Sequence, residues 1–400
     1  VSEAGEEAHA AALVGLAGMT PVRLASVLSR WEPTEAWGLL RAGRHPADPD
    51  RRFAAPARLV DPEAEGARYI RAGVTVLRRG SARYPGPLRS DPGAPAVLFA
   101  HGDPTCLDDR RRVAIVGTRS ATPYGRDVAS ELGRDLAAAG VTVVSGLARG
   151  IDGAAHAGAL RCGAGDPAPP VAVVGTGLDV VYPKTNGGLW AEIARCGALF
   201  SESPLGTQPL PRVFPARNRI IAALSEVVVV VESHHGGGSL TTAEAAARRG
   251  IPVCAVPGSV RSRSSEGTNG LLVDGCVPVR DAADVLVAVS LARVGREKPA
   301  PGQGTATLVA ARGRDRRGTA AADSPEGGIP TRSGGSRDGG RTPEPGSPQR
   351  AVWEAVDHTP TTVETILLRS GLSIASTAEA CERLVAAGLL RSGAGWWARR

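Results

Sequence analysis

Val113-Ala114-Ile115-Val116-Gly117-Thr118-Arg119 decides the fold: an unbroken apolar run empties into a small residue, a hydroxyl and a cation. The pattern recurs downstream. Val141–Val144 leads into Ser145-Gly146-Leu147-Ala148-Arg149-Gly150-Ile151-Asp152, and Val171–Val174 into Gly175-Thr176-Gly177. Val227–Val231 precedes Gly236-Gly237-Gly238-Ser239, and Val253–Val256 ends at Pro257-Gly258. Apolar strands without alternation are those covered on both faces, and alanine-rich helical stretches between them complete the signature of a parallel sheet. Such sheets bind ligands outside the carboxyl ends of their strands. Permissive backbone and cations are gathered on that rim. The expected fold class is α/β: a parallel-sheet core with a small helical N-terminal module and a C-terminal winged helix.

Bulk properties constrain rather than identify. The 400 residues allow two or three domains. No apolar run spans a bilayer and the acidic N-terminus resembles no signal peptide, so no membrane partner and a cytoplasmic location are expected. Six cysteines without a CxxC pair suit a reducing compartment and argue against structural zinc. The net charge of +7 is carried mainly by residues 291–350, which hold eleven basic and six acidic side chains. Residues 351–400 hold five of each, which leaves +2 for residues 1–290. Polyanion binding by the core must therefore come from locally placed cations and backbone N–H groups.

Four segments are expected. Residues 1–65 read as a small helical unit, either a generic helical cap or a SAM-like module, with Leu13, Leu16, Leu24, Val27 and Leu28 as apolar positions and Met19-Thr20-Pro21 as a helix start. Residues 66–290 form the main sheet domain, entered through a proline-interrupted extended segment over 70–104 that packs on the sheet's edge. Residues 291–350, rich in Gly, Arg and Pro, cannot bury enough apolar surface to fold and read as a flexible linker. Residues 351–400 give helices near Ala351–Val356 and Thr361–Leu368, a third ending at Ala387, and a hairpin from Leu389-Leu390-Arg391 to Trp396-Trp397-Ala398. Duplex binding is the usual use of a winged helix. Its neutral charge, with Glu379 and Glu382 on the third helix, leaves a protein-contact role equally open.

The rim supplies the candidate phosphate ligands. Arg119, two residues after Gly117 at a strand end, offers a planar fork for phosphate. Gly146 and Gly150 bracket a turn into a helix whose first amides favour anions, next to Ser145 and Arg149. Asp152, in that first turn, suits a cap that fixes the loop, and His156, one turn on, suits local packing. Gly175-Thr176-Gly177 imitates a dinucleotide fingerprint but has Val180 where the third glycine belongs. Lys184 and Lys298 are the chain's only lysines. Lys184 is read either as a mobile point charge or as a solvated loop residue. Arg217, Asn218 and Arg219 open a helix, where cations oppose the macrodipole unless an anion or a carboxylate such as Glu202 compensates. Gly238, Ser239 and Thr242 enter a helix with hydroxyls able to cap it or to contact phosphate. No nucleophile–base arrangement, paired carboxylates, metal cluster or GxxxxGK[ST] loop stands out, so no catalytic residue, metal or cofactor is assigned. Loops from several strand ends, all suited to phosphate, fit an extended phosphate-bearing ligand such as single-stranded nucleic acid.

These residues resemble the bacterial DNA-processing protein A family, also called Smf. The matching motifs are Gly117-Thr118-Arg119, Ser145 to Asp152 with Ala155-His156, and Gly175 to Asp179 with Tyr182-Pro183. Phe214-Pro215-Ala216-Arg217-Asn218-Arg219-Ile220-Ile221, Ser239-Leu240-Thr241-Thr242-Ala243 and Gly267-Thr268-Asn269 continue the series, in order, over about 70–285. The resemblance implies an extended Rossmann-like core in a homodimeric protein that binds and protects single-stranded DNA and loads RecA recombinase onto it in natural transformation and recombination. It also implies DNA contacts at Arg119, Lys184, the Ser145-Gly146 turn, Arg217 and the Gly238-Ser239 loop. Phe214 and Tyr182 are the aromatics available for base stacking. Two departures stand out: His234-His235 before the glycines, which would strengthen DNA binding in mildly acidic solution, and the arginine-rich linker. A competing reading is a nucleoside-monophosphate phosphoribohydrolase of the lysine-decarboxylase-like type, whose Pro-Gly-Gly-x-Gly-Thr loop and following Glu are partly echoed by Gly236–Ser239 and Glu244.

Overall fold

The computed structural model describes residues 2–162, 167–297, 343–344, 346–356, 361–393 and 396–399. They fall into two compact units, one before residue 314 and one after it. The first begins with five helices: α1 (Glu3–Gly15), α2 (Pro21–Val27), α3 (Pro33–Arg41), α4 (Ala54–Leu59) and α5 (Pro62–Arg71). Thr20 caps α2 by accepting from Arg23 N, with proline in the first turn, as Met19-Thr20-Pro21 predicts. Leu13, Leu16, Leu24, Val27, Trp37 and Leu40 share one core with Val74, Phe99 and Leu199 of the sheet. The helical module therefore completes the sheet's hydrophobic cover.

The sheet has nine strands: β1 (Val74–Arg78), β2 (Val97–Gly102), β3 (Arg111–Val116), β4 (Val141–Ser145), β5 (Val171–Val174), β6 (Ala198–Ser201), β7 (Val227–Val230), β8 (Val253–Ala255) and β9 (Val277–Pro278). Their order is β1-β2-β6-β5-β4-β3-β7-β8-β9. The seven strands from β3 to β9 are mutually parallel, whereas β2 runs antiparallel to both β1 and β6. The segment expected to be extended over 70–104 thus forms two edge strands, broken by a one-turn helix, α6 (Gly86–Arg89). On β3, Val113 and Ile115 enter one core and Ala114 and Val116 another on the opposite face. That double burial is the cause of the continuous apolar run.

Helices α7 (Pro123–Ala138) and α8 (Ile151–Leu160) cover one face. They approach closely because Gly133 and Gly158 lack side chains: a Cβ at either would overlap backbone of the other helix. Helix α9 (Gly187–Cys196) contributes Trp190 and Ile193 to the core shared with the N-terminal helices. Helices α10 (Val213–Leu224) and α11 (Leu240–Ala247) cover the opposite side of the central strands. After α12 (Glu266–Val273), α13 (Ala282–Glu297) returns Val285 and Val289 to the core beneath α7 and α8.

The second unit holds α14 (Pro348–Ala355), β10 (Thr361–Thr362), α15 (Val363–Ser370), α16 (Ile374–Ala386), β11 (Leu390–Gly393) and β12 (Trp396–Arg399). Val352, Ile366, Cys381, Leu384 and Leu390 form its core. The expected hairpin is present, and Thr361-Thr362 pair with Trp396-Trp397 as a third strand. Sequence periodicity places those threonines in a helix, but β-branched residues suit the strand that the hairpin offers them. Most of the expected linker, 298–342, lies outside the described residues. Its expected limits at 291 and 350 fall inside α13 and α14, because helical segments continue past the change in composition.

Candidate functional site

The chain lays down β3, β4, β5 and β6 in one direction, then returns to place β7 on the other side of β3. At that reversal the loops leaving β3 and β7 diverge, and a crevice is expected at their carboxyl ends. A cleft of about 550 Å³ opens there, lined by the loops after both strands together with Phe214, Arg217 and Asn218 of α10.

The first loop, Gly117–Arg119, is held from two sides. Thr118 N donates to Glu232 O at 2.8 Å, and Ile151 N donates to Thr118 O at 3.2 Å. Gly150, with φ of 77°, packs so closely against Thr118 and Arg119 that a Cβ would overlap their backbone. Glu232, buried at the end of the valine run, accepts from Thr122 N at 2.9 Å and from Thr122 Oγ1 at 2.6 Å, which anchors the start of α7. Arg119 projects from this frame into solvent, its guanidinium carbon 4.6 Å from the centroid of Phe214. The Tyr182 ring lies 5.6 Å beyond Phe214.

The floor holds two buried opposite charges, which act on each other through space and form no ion pair among the described residues. Arg217 is 6% exposed; its guanidinium donates to Val173 O and occupies the space that Gly146 leaves by having no side chain. Asp152, also 6% exposed, accepts from Gly146 N at 3.1 Å. Burial raises the Asp152 carboxyl above the ordinary carboxylate range, opposed by the Arg217 charge and by amides of Ala148, Gly146 and Gly117. Burial likewise lowers Arg217, to about 10, with Asp152 opposing and Arg119 reinforcing the shift. His156 is fully buried, its Nε2 3.1 Å from Val171 O, and burial pushes its imidazole down to about 4.

The far wall is the glycine loop. Gly236 sits at φ of 69°, and Gly237 N donates to His234 O. Asn218 Nδ2 donates to Gly238 O at 3.2 Å and to Thr241 Oγ1 at 2.8 Å, tying α10 to the start of α11. Ser239 Oγ donates to Ser233 Oγ at 2.9 Å, and Thr242 is buried behind it.

The structure sorts the candidates. Gly117, Arg119, Arg217, Asn218, Gly238, Ser239 and Thr242 line the cleft. Arg149 shares an adjoining recess with Arg119, Tyr182 and Phe214. Three donor groups are committed internally: Ser145 Oγ donates to Ile115 O, Gly146 N to Asp152 and Gly177 N to Thr207 O. Gly150 backs the first loop. Arg219 turns away and donates both to Glu202, at 2.6 Å to each carboxylate oxygen, and to Gly93 O. Its compensating anion is thus the carboxylate the sequence offered. Lys184 is exposed at the start of a 3-10 turn, outside the cleft lining.

Glu232 and Asn186 escaped sequence reasoning. Asn186 Nδ2 donates to Leu147 O at 3.0 Å and Ala148 O at 3.2 Å, joining the lysine-bearing turn to the loop after β4. An acid terminating a valine run was the available signal for Glu232. Asp152 and His156 engage different partners, and no group of three or more His, Cys, Asp or Glu among the described residues could hold a metal ion. Glu244 lines a separate groove on the other side of α11. Among the described residues no helix is long and apolar enough to cross a membrane.

A family profile described as DNA recombination-mediator protein A matches residues 75–290. DNA processing protein DprA of Bacillus subtilis (strain 168) is 39% identical over 219 residues, covering 55% of this chain and 72% of that protein. A putative DNA processing protein DprA of Mycobacterium tuberculosis (strain H37Rv) is 41% identical over 212 residues, covering 52% of this chain; the chain spans only 53% of that relative. The X-ray structure of DNA processing protein A from Streptococcus pneumoniae superposes with a TM-score of 0.61 at 33% identity, covering 71% of this chain and 97% of that one.

Proposed function

This chain belongs to the DNA recombination-mediator protein A family, and on that premise we propose that it captures single-stranded DNA in the cleft between β3 and β7, protects it and delivers it to RecA recombinase. One observation carries the reading: an exposed arginine, a buried arginine and a glycine loop converge on an open cleft where the strand order reverses. Arg119 supplies the mobile contact to phosphate. Arg217 adds a buried positive field: its Nη1 donates to Val173 O, while its Nε–H has no partner among the described residues. Arg149 and Lys184 extend positive charge outside the cleft. The openness of the trough suits a continuous strand, and Tyr182 beside Phe214 offers a surface for a base. The function is capture and presentation, with no bond broken in the DNA.

The experiment is fluorescence anisotropy of a labelled oligonucleotide, single-stranded against duplex, over a salt series, with Arg119→Ala and Lys184→Ala alongside. We expect a single-strand preference that weakens with salt, with each variant lowering the slope by about 0.7 for one lost phosphate contact. Unchanged binding in both variants would refute the site. Dimerisation and RecA loading, both implied by the family resemblance, are tested by sedimentation and by RecA filament assembly on strand pre-bound by this protein. Limited proteolysis tests the proposed division into a helical module, a sheet domain, a linker and a last segment read as a winged helix. A cytoplasmic location accords with work on DNA and is tested by fractionation.

A further inference from the structure

The loop after β8 has no part in the cleft described above, yet it leaves the sheet at the same carboxyl rim, one strand beyond the glycine loop. It carries Val260, Arg261 and Arg263, all exposed. Among the described residues neither arginine side chain has an ion pair or hydrogen bond. Several other arginines of this domain are engaged, among them Arg249 with Asp91, Arg280 with Asp284 and Arg219 with Glu202.

Its backbone is fixed at several points. Tyr124 Oη donates to Pro257 O at 2.9 Å, and Asn269 exchanges hydrogen bonds with both Gly258 N and Gly258 O. Gly258 packs against Ser265, where any Cβ would overlap the serine side chain. Toward the cleft, His234 Nδ1 lies 3.1 Å from Arg263 O, and Gly267 N donates to Ser233 O at 2.8 Å. The two loops therefore form one shelf. The other flank differs in charge: His235 lines a groove that also contains Glu244 and Glu266. An anionic chain leaving the glycine loop meets cations on the His234 side and carboxylates on the His235 side.

We propose that Arg261 and Arg263 form a second backbone-binding subsite, holding the sugar-phosphate chain of the same single strand where it leaves the cleft past His234. The inference rests on the proposed single-strand reading and extends its footprint by one strand-end loop. Two guanidinium groups carried on a fixed loop backbone beyond the cleft add phosphate contacts without base readout.

The test is Arg261→Ser/Arg263→Ser in the full chain, measured against oligothymidylates of about six and about twenty nucleotides, within and beyond the range one small single-strand-binding domain covers. Both positions are exposed, and circular dichroism checks the fold. The long oligonucleotide should bind more weakly, with its salt slope reduced by about 1.4 for two lost phosphates, and the short one should be unaffected. Unchanged binding of the long oligonucleotide overturns the subsite, as does an equal loss on both lengths, which would make the loop part of the cleft. Arg119→Ala separates the two ideas. If it weakens both lengths while the double variant weakens neither, the subsite fails and the cleft stands; if it weakens neither, the cleft reading fails.

Discussion

Replacing Arg217 with methionine keeps much of the side chain's length and removes the guanidinium, which faces Val173 O, the space beside Gly146 and the Asp152 charge. Asp152 is left in a site that already raises its carboxyl, with amides as its remaining support. Removing one partner of a buried pair costs about 3–5 kcal/mol, mainly because the other charge is left uncompensated. Arg217→Met should therefore lower unfolding free energy by about that amount in urea titrations near pH 7. Asp152→Asn keeps an acceptor for Gly146 N and removes the orphaned charge, so the double variant should recover most of the loss. The pH dependence has a definite sign. A carboxyl whose folded pKa exceeds its unfolded value binds more protons when folded, so stability falls as pH rises through that interval. Arg217→Met raises the carboxyl further, and the variant should be less impaired at pH 5 than at pH 7. A loss under about 1 kcal/mol, or no recovery in the double variant, would refute the assignment of Arg217 to the buried frame.

Gly150→Ala should cost about 1–3 kcal/mol for a backbone conformation open almost only to glycine, and should weaken DNA binding by displacing Arg119; urea titration and anisotropy check the two effects. His156 has a depressed folded pKa, so its contribution is complete above the unfolded value near 6.5 and is lost as pH falls toward about 4. That loss approaches about 3 kcal/mol, and His156→Gln should flatten the pH profile of stability over this interval. Arg219→Met should destabilise the fold by about 1.5–3 kcal/mol through loss of the Glu202 pair while leaving the salt slope for DNA unchanged; a lower slope would return Arg219 to the DNA contacts.

Much of the architecture was written locally. A strand buried on both faces must be apolar at successive positions, so Val113–Val116 and Val227–Val230 announced central parallel strands before any neighbour was known. Thr20-Pro21 announced a helix start, and Asp152 announced a loop-fixing carboxylate, because caps act over a few residues. Which candidates share a site depended on positions far apart in sequence. Arg217 and Arg219 stand two residues apart in one motif, yet a helix separates their directions by about 200°. One therefore fills the space beside Gly146 and the other reaches Glu202. Gly177 had the composition of a phosphate turn, but packing against Pro204 and a hydrogen bond to Thr207 occupy it. The cleft itself arises because β7 pairs with β3 across more than a hundred residues. Sequence determined the elements and the side chains available on the rim, because propensity, burial pattern and capping are local. Only the tertiary structure decided which of those side chains face the cleft, because strand order and helix rotation set direction.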